Sequence, residues 1–241
     1  MAVSVDTVYQ RVLGILNKEQ RGYVTPQEFN LFANQAQLDI FEQYFYDINQ
    51  FGRLFGNSTE YSDMLTLLNE KINLFETTSD MVYSGGYFPL PTDLYRLGTI
   101  IYTNTTTNPF SIVTNEDIEI ERVNKNELLY INSSPLTKPK NVRPIYIADT
   151  NGIKAYGNTL LDDNVKCNYI KRPSKVEWRY QMVYGEALYD ATLSVNFELH
   201  ASEETELVMK ILALAGLVIK DPDIYTAAST EDTKTIQQEK A

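Results

Sequence analysis

Helical periodicity at both ends of this chain encloses a middle with the texture of strands, and that order restricts the fold more than any single motif. Val5, Val8, Val12, Ile15 and Leu16 recur at spacings of three and four, which predicts a first helix that Asn17 to Gly22 interrupts. Thr25-Pro26-Gln27-Glu28 marks a second start. Thr25 suits the cap, Pro26 the first helical position, and Glu28 the reach back that completes a capping box. The helix that follows runs to about Asn49. One face carries Phe29, Phe32, Ala33, Ala36, Ile40, Tyr44 and Ile48; Leu31, Leu38, Phe41 and Phe45 widen it. So broad an apolar surface needs cover on two sides, from neighbouring helices or another subunit. Gly52 and Gly56-Asn57-Ser58 read as a loop, and Met64, Leu65, Leu68 and Ile72 predict a third helix from Ser62 to about Leu74.

The period changes near Ser84-Gly85-Gly86. From Tyr87 to about His200 the chain is rich in Tyr, Val, Ile and Thr and broken by Pro, Asn and Gly. Strands are expected at Leu97–Tyr102, Ile145–Ala148, Ile153–Tyr156 and Val165–Tyr169, with a hairpin turn at Asp149-Thr150-Asn151-Gly152 and a short helix at Lys125–Tyr130. Helical spacing returns after Ser202, a cap candidate followed by Glu203, Glu204 and Glu206 where the helix dipole favours acids. Leu207, Val208, Ile211, Leu212, Leu214, Ala215, Leu217 and Val218 form its buried face, and Asp221-Pro222 stops it. The predicted class is α+β: an N-terminal helical bundle (1–84), an inserted antiparallel β-rich domain (85–200), a C-terminal helix closing the bundle (201–220) and a C-terminal arm (221–241). The arm has too few large apolar residues, Ile224, Tyr225 and Ile236, to fold alone.

Composition excludes several functions. One Cys and one His in 241 residues supply neither an internal disulfide nor a zinc site of ordinary composition. Twenty-one basic residues face thirty-two acidic ones, a net charge of −11, which opposes nucleic acid as a principal ligand. No basic leader with an apolar run opens the chain, and the stretch Leu207–Ile219 is too short to span a bilayer, so a soluble product made in a cytoplasm is expected, with no membrane partner.

Chemistry is sparse. The phosphate-loop, dinucleotide-loop and nucleophile-elbow patterns are missing from the sequence. His200 stands at a strand-to-helix junction with no activated serine to serve, and Cys167 alternates inward within a strand candidate; both read as structural. Alternation in Glu116-Asp117-Ile118-Glu119-Ile120-Glu121 places Asp117, Glu119 and Glu121 on one face, the groups a glycosidase or divalent metal uses, although a solvated face explains them as well. Asp162-Asp163 reads as a turn. The expectation is no enzyme, no cofactor and no metal. The densest aromatic and basic run is Tyr169 to Tyr180, with Lys171, Arg172, Trp178, Arg179 and Tyr180. It suits an intersubunit surface, an ordinary sheet surface or nucleic acid.

Several segments taken in order carry a likeness. They are Val5-Asp6-Thr7-Val8-Tyr9-Gln10, Asn17 to Tyr23, Thr25 to Gln37, Phe41-Glu42-Gln43-Tyr44-Phe45, and Leu90-Pro91-Thr92-Asp93-Leu94-Tyr95-Arg96-Leu97. Then come Pro144-Ile145-Tyr146, Tyr169-Ile170-Lys171-Arg172-Pro173, Trp178, and Phe197-Glu198-Leu199-His200 leading into Glu203 to Leu207. Together they resemble structural proteins of tailed bacteriophages, podovirus-like or crAss-like, of the type that forms a ring or adaptor under the portal at the head–tail junction. The resemblance implies a homo-oligomeric ring, dodecameric to match the portal, assembled in the bacterial host cytoplasm. It implies contact with the portal protein above and the next tail or ring protein below, with genomic DNA passing through the lumen unbound. It also implies docking through a C-terminal extension, here Asp221, Pro222, Ile224, Tyr225 and Ile236. Another ring or tail-tube component, or a glycan-degrading virion enzyme, are the alternatives.

Overall fold

The computed structural model describes residues 3–18, 24–51, 59–107, 113–184, 186–219, 226–231 and 233–234. The expected loop at 52–58 and the arm residues Asp221, Pro222, Ile224, Tyr225 and Ile236 lie outside that set. The fold is α+β, with a β-rich part inserted between the N-terminal helices and the C-terminal one. The chain divides into two units, residues 1–74 with 173–241, and residues 75–172.

The first unit holds α1 (Val5–Lys18), α2 (Pro26–Phe51) and α3 (Thr59–Asn73). On α1 the buried set is Val5, Val8, Tyr9, Val12 and Leu16; Ile15 turns outward and Tyr9 takes its place at helical spacing. α2 starts as its capping box dictates. The Thr25 amide donates to Glu28 Oε2 at 2.9 Å, and the Glu28 amide donates to Thr25 Oγ1 at 3.3 Å. The Thr25 amide, then the Thr25 hydroxyl, hold the Glu28 carboxyl below its usual range. Phe29, Ala33, Ala36, Ile40, Phe41 and Tyr44 are buried, whereas Leu31 is exposed. α2 receives its two-sided cover from α3 and α5 (Glu204–Ile219), and α5 also packs on α1.

The remaining wall of this unit is extended chain. Residues 174–178 run along α2, and amide side chains on that helix bond their backbone. Asn34 Nδ2 donates to the Val176 carbonyl at 2.8 Å, and the Val176 amide donates to Asn34 Oδ1 at 2.9 Å. Asn30 repeats the exchange with Trp178, at 3.2 and 2.8 Å. Gln37 donates to the Ser174 carbonyl at 2.8 Å and accepts from the Glu198 amide at 3.2 Å. Spacing explains the match. Positions 30, 34 and 37 lie on one helix face, and every second residue of a strand presents both backbone groups to one side. The ladder ties 173–200 to the helices. The unit boundary therefore falls at 172/173, whereas the sequence suggested 200/201. At the other end it falls at 74/75 in place of 84/85.

In the second unit, β1 (Glu76–Asp80), β7 (Val165–Lys171), β2 (Leu94–Thr107) and β3 (Val113–Glu119) form an antiparallel sheet in the order β1-β7-β2-β3. A second sheet contains β4 (Glu121–Arg122), β5 (Ile145–Asp149) and β6 (Gly152–Tyr156). Its β4–β5 pair is parallel, a departure from the all-antiparallel expectation. Alternation points Val165, Cys167 and Tyr169 of β7 inward with Ile100 and Tyr102 of β2. Phe88, Ile120, Tyr146, Ile153, Ala155 and Leu161 complete the same core. The expected helix at 125–130 is α4 (Leu128–Ser133). Asn124 first makes a turn in which the Glu127 amide donates to its carbonyl at 3.0 Å, and Pro135 holds Ser134 extended at the other end.

Two glycine sites show why the turns lie where they do. Gly85 and Gly86 adopt φ of +61° and +96° between the paired Ser84 and Tyr87, the geometry a two-residue hairpin turn requires. Gly152 opens β6 at φ +143°, where Phe88 and Ile153 exchange backbone hydrogen bonds of 2.8 and 2.9 Å. A Cβ at 152 would collide with the Phe88 carbonyl oxygen. Gly152→Ala is expected to destabilise the protein by about 2 kcal/mol, from backbone strain and loss of that bridge. An unchanged denaturant midpoint would show that the Phe88 segment moves aside freely.

Candidate functional site

The aromatic and basic run 169–180 is divided between the two units at residue 172. Tyr169 belongs to the β core, where its hydroxyl donates to Asp93 Oδ1 at 3.0 Å. Lys171 ends β7 and is half-buried, and Arg172 is exposed while its amide donates to the Asp93 carbonyl at 2.7 Å. Trp178 retains only 4% of its surface. Its ring lies 4.3 Å from Tyr9, centroid to centroid, and its Nε1 donates to Asp6 Oδ1 at 3.0 Å. Arg179 and Tyr180 are exposed; the Arg179 Nε donates to Glu177 Oε2 at 2.6 Å. Trp178 is therefore an internal anchor, and the surface its run presents comes from its neighbours.

Those neighbours lead into the hairpin β8 (Tyr180–Val183) and β9 (Glu186–Tyr189), a separate two-stranded sheet. Trp178 stacks on Tyr189 at 5.9 Å and lies 5.6 Å from Tyr180, which fixes the base of the hairpin. Asp190 secures the same base, accepting from the Thr192 hydroxyl at 2.6 Å, the Thr192 amide at 2.9 Å and Gln181 Nε2 at 2.5 Å. Bonds from Thr192, with Gln181 behind them, hold its carboxyl below the ordinary range. Beyond that base Met182, Leu188 and the fully exposed Tyr184 face solvent.

The second unit has an apolar surface of its own. From Asn124 to Lys138 every residue is exposed or half-buried. Leu129 and Tyr130 on α4 are largely open, and Leu136 is 93% exposed. α4 buries no residue.

Cys167 is buried in the β core, His200 caps a turn and Asp117 bonds across its sheet. Burial pushes the Cys167 thiol up, away from the reactive thiolate. The Ser202 amide donates to His200 Nδ1 at 3.3 Å, so His200, and not Ser202, caps the short 3₁₀ turn Ala201–Glu203 that leads into α5. The acidic alternation stops at Glu119. Asp117 accepts from Thr103 Oγ1 at 2.7 Å, Ile120 turns inward, and Glu121 joins the other sheet and pairs with Arg143 at 3.2 Å. The expected face of Asp117, Glu119 and Glu121 is thus split between sheets. Among the described residues no group of three His, Cys, Asp or Glu is arranged to hold a metal, and no helix is long and apolar enough to cross a membrane.

Sequence reading missed a buried ion pair. Glu203, 3% exposed, meets Lys71 of α3 at 2.6 Å beside a small pocket lined by Ile40, Tyr44, Asp47 and Glu206. Burial pushes its carboxyl up, but the bonds and charge of Lys71, helped by Glu206 and Ser202, prevail and leave it below the ordinary value. A depressed carboxylate stabilises the fold above its unfolded pKa, and that share is lost as pH falls through the folded value. On acidification from neutrality the wild-type unfolding midpoint should therefore fall more steeply than that of Glu203→Gln. Parallel curves would remove Glu203 from the acid response.

No protein-family model matches the chain, and no curated protein matches it.

Proposed function

We propose that this chain is a structural subunit of a tailed-phage neck, forming a ring below the portal that joins head to tail and leaves a channel for DNA. The observation that supports assembly is uncovered apolar surface on both units, at Met182, Tyr184 and Leu188 and at Leu129, Tyr130 and Leu136. Contact with another subunit would cover these side chains. The place in the particle rests on the ordered segments described above, from Val5 to Leu207. In this reading the segment 221–241 docks on the portal. Part of the charge of −11 faces the lumen, where it repels DNA phosphates and lets the polymer slide; screening over about 10 Å limits that effect at 0.1 M salt.

The test is mass by light scattering, alone and with portal. A discrete ring or a portal-dependent complex is expected, and deletion of residues 222–241 should leave a folded protein that no longer joins the portal. A monomer indifferent to portal that cleaves glycan would contradict the reading, as would salt-sensitive retention of DNA.

A further inference from the structure

Of the eleven glycines in the chain, Gly152 alone follows an asparagine, and the pair Asn151-Gly152 lies in the turn that joins β5 to β6. The backbone nitrogen after an asparagine is one ring closure from the side-chain amide carbon. Glycine, with no Cβ, puts nothing in the way of that closure. Asn151 is exposed, so water reaches it. The fold also holds the glycine in place. A Cβ at 152 would strike the Phe88 carbonyl oxygen, and φ there is +143°. Packing in the second unit thus preserves a reactive dipeptide at an open turn.

Two sets of contacts restrain it. Ile153 exchanges backbone hydrogen bonds with Phe88, so strand alternation turns the backbone groups of Gly152 the other way, toward its partner Asp149 on β5. An amide nitrogen kept in that pair does not swing onto the Asn151 side chain. Asp149 in turn clasps the turn. Its Oδ1 accepts from the Thr150 amide at 2.8 Å and from Lys125 Nζ at 2.8 Å. The clasp is partly wet, with the Lys125 and Asp149 side chains 59% and 32% exposed, and exposed ion pairs hold weakly. The end of the hairpin therefore opens more readily than the sheet behind it.

We propose that Asn151 is a self-modification site, converted through a succinimide to aspartate and isoaspartate whenever the Asp149 clasp lets the turn open. The Gly152 nitrogen gives its proton to solvent base and bonds to Asn151 Cγ. The Cγ–Nδ2 bond breaks, and ammonia leaves after taking a proton from solvent. Water then opens the five-membered ring. Cleavage between Cγ and the Gly152 nitrogen leaves aspartate on an unaltered main chain. Cleavage at the Asn151 backbone carbonyl leaves isoaspartate, whose main chain runs through Cβ and Cγ and is one atom longer. Either product adds a carboxylate close to Asp149. Only isoaspartate shifts Gly152 off Asp149 and pulls Ile153 from Phe88. Nothing in this chemistry depends on assembly into a neck.

The experiment holds the folded full-length protein in mildly alkaline buffer and samples it over weeks by peptide mapping, with isoaspartate assigned by electron-transfer fragmentation. The internal comparison is Asn132, exposed on α4 and followed by Ser133. Conversion at 151 should exceed that at 132 by about tenfold, because serine carries the Cβ that glycine lacks and sits in a helix. Asn151→Gln should abolish it, since the ring would need a sixth member. Asp149→Ala removes both bonds of the clasp and should speed conversion about fivefold, the factor that one net hydrogen bond represents. Lys125→Ala, on an exposed position, removes the ion pair alone and should speed it about twofold. Conversion at 151 no faster than at 132 would overturn the site. A rate equal to that of the free peptide 145–156, or one that neither clasp variant changes, would overturn the gate.

Discussion

Replacing Asn34 with Leu should destabilise the protein by about 2–5 kcal/mol, far more than a half-buried polar residue on a helix ordinarily warrants. Asn34 serves both backbone groups of Val176, which is fully buried. Leucine would leave an amide and a carbonyl with no partner, at roughly 1–3 kcal/mol each. Asn34→Asp should fail as well, because its carboxylate still accepts from the Val176 amide but opposes the Val176 carbonyl. The control is Gln35→Leu, one residue along on the exposed face, where the amide bonds Asp39 at 2.7 Å; its effect should stay within about 0.5 kcal/mol. Urea unfolding of the three variants decides the matter. An Asn34→Leu loss no larger than that of the control would show that residues 174–178 are held by something other than the ladder.

Trp178→Ala should cost about 3–5 kcal/mol, the usual range for a buried aromatic truncated in a core. Its ring joins α1, through Tyr9 and Asp6, to the base of the β8–β9 hairpin through Tyr180 and Tyr189. The damage should therefore be directional. Amide exchange should rise first in 180–189, while α3 keeps its protection under native conditions. Trp178→Phe should lie between, since it keeps ring contact and loses the bond to Asp6, worth about 1 kcal/mol. As the sole tryptophan of the chain, Trp178 also reports directly, and its emission should be blue-shifted in the native state and move red on unfolding. Native emission already at the solvent-exposed position, or a loss below about 1 kcal/mol, would contradict its role as an anchor.

These two residues mark where sequence reading reaches and where it stops. The helices were legible because their signals are local: spacing on α1, and the Thr25–Glu28 box that starts α2. The β5–β6 hairpin was legible for the same reason, in Asp149-Thr150-Asn151-Gly152. β1 was not, because Glu76-Thr77-Thr78-Ser79-Asp80 has no apolar alternation and owes its form to pairing with β7 some ninety residues away. The amide ladder was equally hidden. Asn30, Asn34 and Gln37 look like the polar side of a helix until a strand from beyond residue 173 lies against them. One signal was present: Gln37 stands between Ala36 and Leu38, at a position where helical spacing calls for an apolar residue.

The surface divides in the same way. Trp178 and Arg179 are adjacent in an aromatic and basic run, yet one is internal and the other exposed. A buried anchor and an interface residue have the same composition, and only the neighbours distinguish them. His200 was read as structural, and its capping bond to the Ser202 amide supplies the reason. The exposed apolar excursion at 124–138 gave no sequence signal, because Leu-Leu-Tyr-Ile reads as ordinary core until the fold leaves it uncovered.

The most direct measurement is a cryo-electron density map of the intact particle, with the chain traced by its side chains. A ring of these copies in the layer against the portal is expected. Density for the chain elsewhere in the particle, in fibres or capsid, or particles that assemble and eject DNA without it, would contradict the account.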